Sequence, residues 1–272
     1  MTTPTAIQFD TADDLEPAAR EALHRLLIAC ADTKLLLGYH YGEWTFGTPE
    51  LEAAVANCSL SQTELGHVRL LQGILQKHYG DDPDALVDQR PREAFASVGY
   101  LDRPQADWPA VVAMCAVVDC ALTALLFAFR DSTFRPLRLS VEKMLEEERY
   151  HLHHGRGWLR TWAQRDEADR AALTARVEEA LASTALWFGP TGEPDDEALV
   201  AAGVKSAANP EVFRIACDEV VGLAAEAGVP LQAPSPTFGP WAPALRRAGA
   251  GGPEEEILFH LRGEGNALFK LS

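Results

Sequence analysis

Apolar residues recur at helical spacing along most of the chain, and breaker-rich segments divide the pattern into blocks. Leu23, Leu26, Leu27, Cys30, Leu35 and Leu37 repeat on one face and predict a first helix from about Leu15 to Tyr41. Gly42 and the segment Trp44 to Pro49 interrupt it. Thr48-Pro49-Glu50 then supplies a capping residue, a first-turn proline and an acid, a start signal for a second helix running to about His78. Gly80 to Pro83 ends that helix, and Asp84 to Pro109, carrying Pro91, Gly99 and Pro104, reads as a longer crossover. A third helix is predicted from about Trp108 to Phe129 and a fourth from about Leu137 to Trp162, joined by a turn at Ser132 to Pro136. Helices near Asp166 to Phe188 and Pro210 to Glu226 follow, separated by the loop Gly189 to Pro194. Beyond Gly228 the chain becomes Pro- and Gly-rich. The expected division is a helical domain over residues 1–228 and an irregular, partner-contacting or mobile extension over 229–272.

The third helix is apolar on every side from Val111 to Phe129, apart from Asp119. Its length approaches that of a membrane span. A central carboxylate is costly in lipid, however, and no basic clusters flank the segment. The better expectation is a helix buried between the bundle and a partner subunit.

Charge changes the picture by exclusion. The formal net charge of −16 and the lack of any Lys/Arg run argue against a nucleic-acid partner. The five cysteines form no CxxC pair and mostly sit in apolar stretches, as reduced core cysteines do. The polar, acidic start from Met1 to Asp14 has no signal-peptide apolar region, so a cytoplasmic location is expected.

The candidate chemistry lies on the helices. Glu64-Leu-Gly-His67 places a carboxylate and an imidazole on one helix face, and Glu148-Arg-Tyr-His151 repeats the arrangement two helices later. Glu-x-x-His from each of two helices, with one carboxylate from each of the other two, is the pattern of ferritin-like di-iron and di-manganese bundles. The expected fold is therefore all-α: a ferritin-like four-helix bundle with additional C-terminal helices and the irregular tail. Asp119, twenty-nine residues before Glu148, supplies the third-helix carboxylate. A buried Asp there is costly without a cation or a hydrogen-bond partner.

The corresponding position thirty residues before Glu64 holds Lys34, not an acid. Asp32 is two positions away, about 200° around the helix, and should face elsewhere. Glu64, His67, Asp119, Glu148 and His151 thus form a five-member ligand set, suited to Fe or Mn. Two divalent ions would be balanced by four carboxylates and this set offers three, so Lys34 can replace one metal electrostatically. One ion or none is expected rather than two. His153 and His154 cannot both face inward, Tyr150 lies on another face, and Tyr39, His40 and Tyr41 read as packing or pocket residues at the end of the first helix.

These residues resemble a known family. Gly42-Glu-Trp44, Thr48 to Glu52 and Glu64-Leu-Gly-His67 resemble the phenylacetate-degradation oxygenase subunits of the PaaA/PaaC type. Glu148-Arg-Tyr-His-Leu, running on to Gly155-Arg-Gly-Trp-Leu159, looks closer to PaaC. The resemblance implies a multicomponent monooxygenase that epoxidises the ring of phenylacetyl-CoA. In that family the di-iron centre sits in a PaaA-type subunit, a PaaC-type subunit pairs with it, and a reductase supplies electrons. The departure at Lys34 leaves two readings: a PaaC-like supporting subunit, or an independent metal-dependent oxygenase. Pairing with a PaaA-like subunit, or self-association, is expected through the apolar helix 111–129, with no membrane involved. Iron storage is disfavoured by the long extension and the missing acid.

Overall fold

The computed structural model describes residues 8–269; parts of the expectations for Met1 to Asp14 and for the extension's last residues lie outside that range. The long helices are α1 (Pro17–Glu43), α2 (Leu51–Tyr79), α6 (Arg135–Ala163), α7 (Glu167–Phe188) and α9 (Asn209–Glu226). Between α2 and α6 come a short α3 (Pro83–Asp88), then α4 (Trp108–Ala113), a π-helical turn (Met114–Asp119) and α5 (Cys120–Phe129). The remaining elements are α8 (Pro194–Ala201), a hairpin of two-residue strands β1 (Trp241–Ala242) and β2 (Arg247–Ala248), α10 (Glu255–Leu261) and short 3-10 turns.

Two helical hairpins form the bundle. α1 packs along α2, α5 packs along α6, and α2 lies against α6. The approach of α1 to α2 depends on Gly38, where an added Cβ would sit 3.3 Å from Glu64 Cβ and the Leu65 side chain. Ser61 Oγ seals the contact by donating to the Gly38 carbonyl at 2.7 Å. Glu64 lies at this seam and Lys34 one turn from Gly38, so the close packing itself brings the ammonium to the carboxylate. α7, α8 and α9 form a second layer: α7 covers α4 and the π turn, α9 covers α5, and α8 lies on α1.

That layer changes one expectation. Trp108–Phe129 is long and apolar enough to cross a membrane, but 89% of its most apolar window is buried within this chain. The helix predicted to meet a partner is packed instead against α7 and α9 of its own chain. A segment apolar all round must be covered, and here the chain covers it itself.

The second helix also starts later than predicted. Thr48 Oγ1 bonds the Glu50 carbonyl instead of capping, and helical geometry begins at Leu51.

Asp32 faces away from the bundle centre, as its angle predicts, and it is still buried. It accepts from the Arg90 guanidinium and, at 2.8 Å, from the Ala96 amide, tying the crossover to α1. His40 Nε2 meets the Leu101 carbonyl at 2.9 Å and adds a second tie.

The segment after Gly228, expected to be irregular, carries the short hairpin and α10 between irregular stretches and is tied to the helices before it. Arg246 donates to the Trp187 and Phe188 carbonyls at 2.8 and 3.0 Å, satisfying the open C-terminal end of α7. Trp241 Nε1 donates to the Leu186 carbonyl at 2.9 Å. Leu258 of α10 closes a small apolar cluster with Leu35, Val68 and Phe95, outside the ion-bearing level of α1 and α2.

Candidate functional site

Four helices each send an ionisable side chain to one level of the bundle core: Lys34 from α1, Glu64 and His67 from α2, Asp119 from the π turn, Glu148 and His151 from α6. All six are essentially inaccessible to solvent. Lys34 Nζ lies 2.6 Å from Glu148 Oε1, 3.0 and 2.9 Å from the two Glu64 oxygens, and 3.7 Å from Asp119 Oδ1. The ammonium therefore stands where three carboxylates converge.

The imidazoles face the same carboxylates. His151 Nδ1 lies 2.8 Å from Asp119 Oδ2 and 3.3 Å from Glu64 Oε1. His67 Nδ1 lies 3.3 Å from Glu148 Oε1, and its Nε2 meets Glu147 Oε2 at 2.9 Å. Two further donors complete the level: Tyr41 Oη to Asp119 Oδ2 at 2.8 Å, and Thr123 Oγ1 to Glu148 Oε2 at 2.6 Å.

The electrostatics follow from this geometry. Burial alone would strip Lys34 of its proton, but Glu148, Glu64 and Asp119 together outweigh it and raise its pKa. Burial likewise pushes the carboxylates up. At Glu64 and Glu148 the Lys34 charge and the histidine hydrogen bonds overcome that, holding Glu148 at about 2 and Glu64 well below its usual range. Asp119, buried and flanked by both glutamates, rises to about 6 despite His151. His151 is desolvated too, yet the Asp119 charge and hydrogen bond carry it up to about 11. His67 is also raised, its desolvation overridden by hydrogen bonding to Glu148 and Glu64. Near neutral pH the Lys34 ammonium and the His151 imidazolium stand against the Glu64 and Glu148 carboxylates, with Asp119, held at about 6, as the third acid.

That balance sets how a metal would fit. Glu64, Asp119, Glu148 and His151 offer ligand atoms all within 4.8 Å of one another, so this buried cluster could hold one ion. His67 stands outside that group. A two-metal centre does not fit the residues present. Both Nδ1 atoms that would have to bind metal face carboxylate oxygens instead, and the Lys34 ammonium occupies the cation position between three carboxylates. Adding dications without expelling protons or Lys34 would leave the buried level strongly positive, at a cost of several kcal/mol per uncompensated ion.

Sequence alone does not single out Thr123 and Glu147, and it offers Tyr41 only as a pocket or packing residue. Thr123 stands one turn beyond Asp119 and Glu147 beside Glu148, signals visible only once the other members are in place. His153 and Tyr150 are exposed, while His154 is half-buried against Trp158.

The architecture defines a class: a helical bundle with a carboxylate–histidine core in which lysine stands at a first-helix ligand position. The chain belongs to the phenylacetic acid catabolic protein family (PaaA/PaaC), whose pattern matches residues 1–246. It is similar to the PaaC component of the 1,2-phenylacetyl-CoA epoxidase of Escherichia coli (strain K12), with 26% identity over 191 residues, or 70% of this chain and 75% of the relative. The chain is thus PaaC-like within its family.

Proposed function

We propose that this chain is a PaaC-like supporting subunit of a cytoplasmic, multicomponent oxygenase that epoxidises the ring of phenylacetyl-CoA, and that its own bundle core is held by an internal cation instead of a di-metal centre. One observation carries the reading: the Lys34 ammonium lies within 3.0 Å of both Glu64 and Glu148 and 3.7 Å from Asp119. The site keeps the carboxylate–histidine frame of a metal bundle but neutralises it with the chain's own side chains. Catalysis then belongs to a PaaA-like partner of the same fold, with a reductase as electron source, and the role of this chain is to pair with and stabilise that partner.

A second reading has support from one feature. The four ligand atoms within 4.8 Å would suit a single Fe(II) or Mn(II) if His151 gave up its proton, which would make the chain a mononuclear oxygenase for an aromatic or acyl-CoA substrate.

Metal analysis after anaerobic loading with Fe(II) and Mn(II) separates these readings. The supporting-subunit reading expects no metal above background in the native chain and measurable uptake in Lys34→Glu. Two ions per native chain would overturn it; one ion would transfer the case to the mononuclear reading. Phenylacetyl-CoA turnover that requires addition of a PaaA-like partner tests the pairing directly.

A further inference from the structure

The outward face of α2 carries a stripe of exposed residues. Leu51, Val55, Cys58, Gln62, Leu65 and Arg69 are all exposed and follow a four-three spacing, the stripe by which one helix meets another. Leu51 is 76% and Val55 65% exposed, and Phe46, just before the helix, is 99% exposed. Between Glu52 and Arg69 the sequence has only Glu64 and His67 as acid or base, and both point into the core. About four turns of solvent-facing helix therefore carry no charge, in a chain that is 24% charged. Depletion of charge at an apolar surface marks an interface core. The neighbours of the stripe are small (Ala54, Ala56, Ser59, Gly66), which permits close helix approach.

The stripe is also self-complementary. Run antiparallel against itself about a two-fold axis at Leu60, it sets Leu51 opposite Arg69, Val55 opposite Leu65 and Cys58 opposite Gln62. The same register brings the acidic end, Glu50 and Glu52, to Arg69 of the second copy, so the charges at the two ends attract. A net charge of −16 makes self-association costly wherever acids meet. This strip is where they do not. An isologous two-fold contact needs one patch that fits itself. We propose that the outward face of α2 is a homodimer interface, occupied by α2 of a second copy of this chain in antiparallel register.

Sedimentation velocity on the full chain at micromolar concentration is expected to show a dimer. Val55→Glu, at an exposed position, is expected to give a monomer with unchanged helical circular dichroism. Register is tested independently by Gln62→Cys. Cys58 of one copy and the thiol introduced at position 62 of the other would fall within reach of the roughly 4.4–6.8 Å Cα separation that a disulfide needs. The native Cys58 pair would be about 7–8 Å apart, from four residues of helical rise and the interaxial distance less the two Cα radii, which is beyond a disulfide's usual reach. Mild oxidation should thus link Gln62→Cys into a covalent dimer and leave the native chain unlinked. A monomeric native chain, a dimer that survives Val55→Glu, or a Gln62→Cys variant that never cross-links would each overturn the proposal. Monomer alone with capture of a PaaA-like chain by the same face would also overturn it.

Discussion

Lys34 shows how a single side chain can set the chemistry of a whole level of structure. In the proposed reading its ammonium stands in for a metal's charge without a metal's coordination demands, and the surrounding carboxylates keep it protonated despite complete burial. Removing it leaves three buried carboxylates and two imidazoles. Lys34→Met is expected to destabilise the fold by about 3–5 kcal/mol, the usual cost of stripping one partner from a buried ion cluster. Urea unfolding measures this. The variant's thermal midpoint should then rise on adding Mn(II), while the native chain's should not. An equal response in both would show that Lys34 does not hold the cation position.

At the scale of elements, the bundle depends on two places where backbones come unusually close. One is Gly38 on α1, already described. The other is Gly155 on α6, where an added Cβ would lie 3.1 Å from Cys115 Sγ and 3.2 Å from the backbone of Ala116 in the π turn. Alanine normally improves a helix by about 1 kcal/mol over glycine. Here the overpacking against backbone that cannot yield should win, so Gly155→Ala is expected to lose about 1–3 kcal/mol by urea unfolding. A more stable variant would mean that α6 has room to move from the π turn. The helices were largely legible from spacing, because α2, α6, α7 and α9 bury one face each and the leucines of α1 keep helical spacing although its middle is buried all round. The π turn was not. A segment apolar on every side carries no periodic signal from which a widened turn could be read. α3, α8 and α10, at six to eight residues, fell inside stretches dominated by Pro, Gly and acids.

Across the whole molecule, stability rests on ties between the bundle and the segments that wrap it. His40 is one such tie, and burial depresses its pKa from 6.5 to about 4 even though its hydrogen bond to the Leu101 carbonyl works the other way. The unfolded chain therefore binds more protons than the folded one between these values. The stability from keeping His40 neutral is complete above about pH 6.5 and is lost as pH falls toward 4, by at most about 3 kcal/mol. Comparing urea unfolding at pH 7.5 and pH 5 should show this loss in the native chain and a smaller one in His40→Gln. An unchanged difference would assign the acid sensitivity to other groups.

The two Glu-x-x-His pairs, Asp119 and the out-of-place Lys34 were all readable from the chain, because helical period places such residues at one level whatever the surroundings. The family match spans residues 1–246 and so includes all of them. Tertiary structure alone decided what covers the apolar third helix, since all-round hydrophobicity demands burial but does not say against what. It also decided where Lys34 points: a lysine stem can reach core or solvent from one register position, and only the convergence of Glu64, Asp119 and Glu148 from three other helices makes the inward choice favourable. The Asp32–Arg90 tie and the strap through Arg246 depend on contacts between segments far apart in the chain, and no local pattern encodes those.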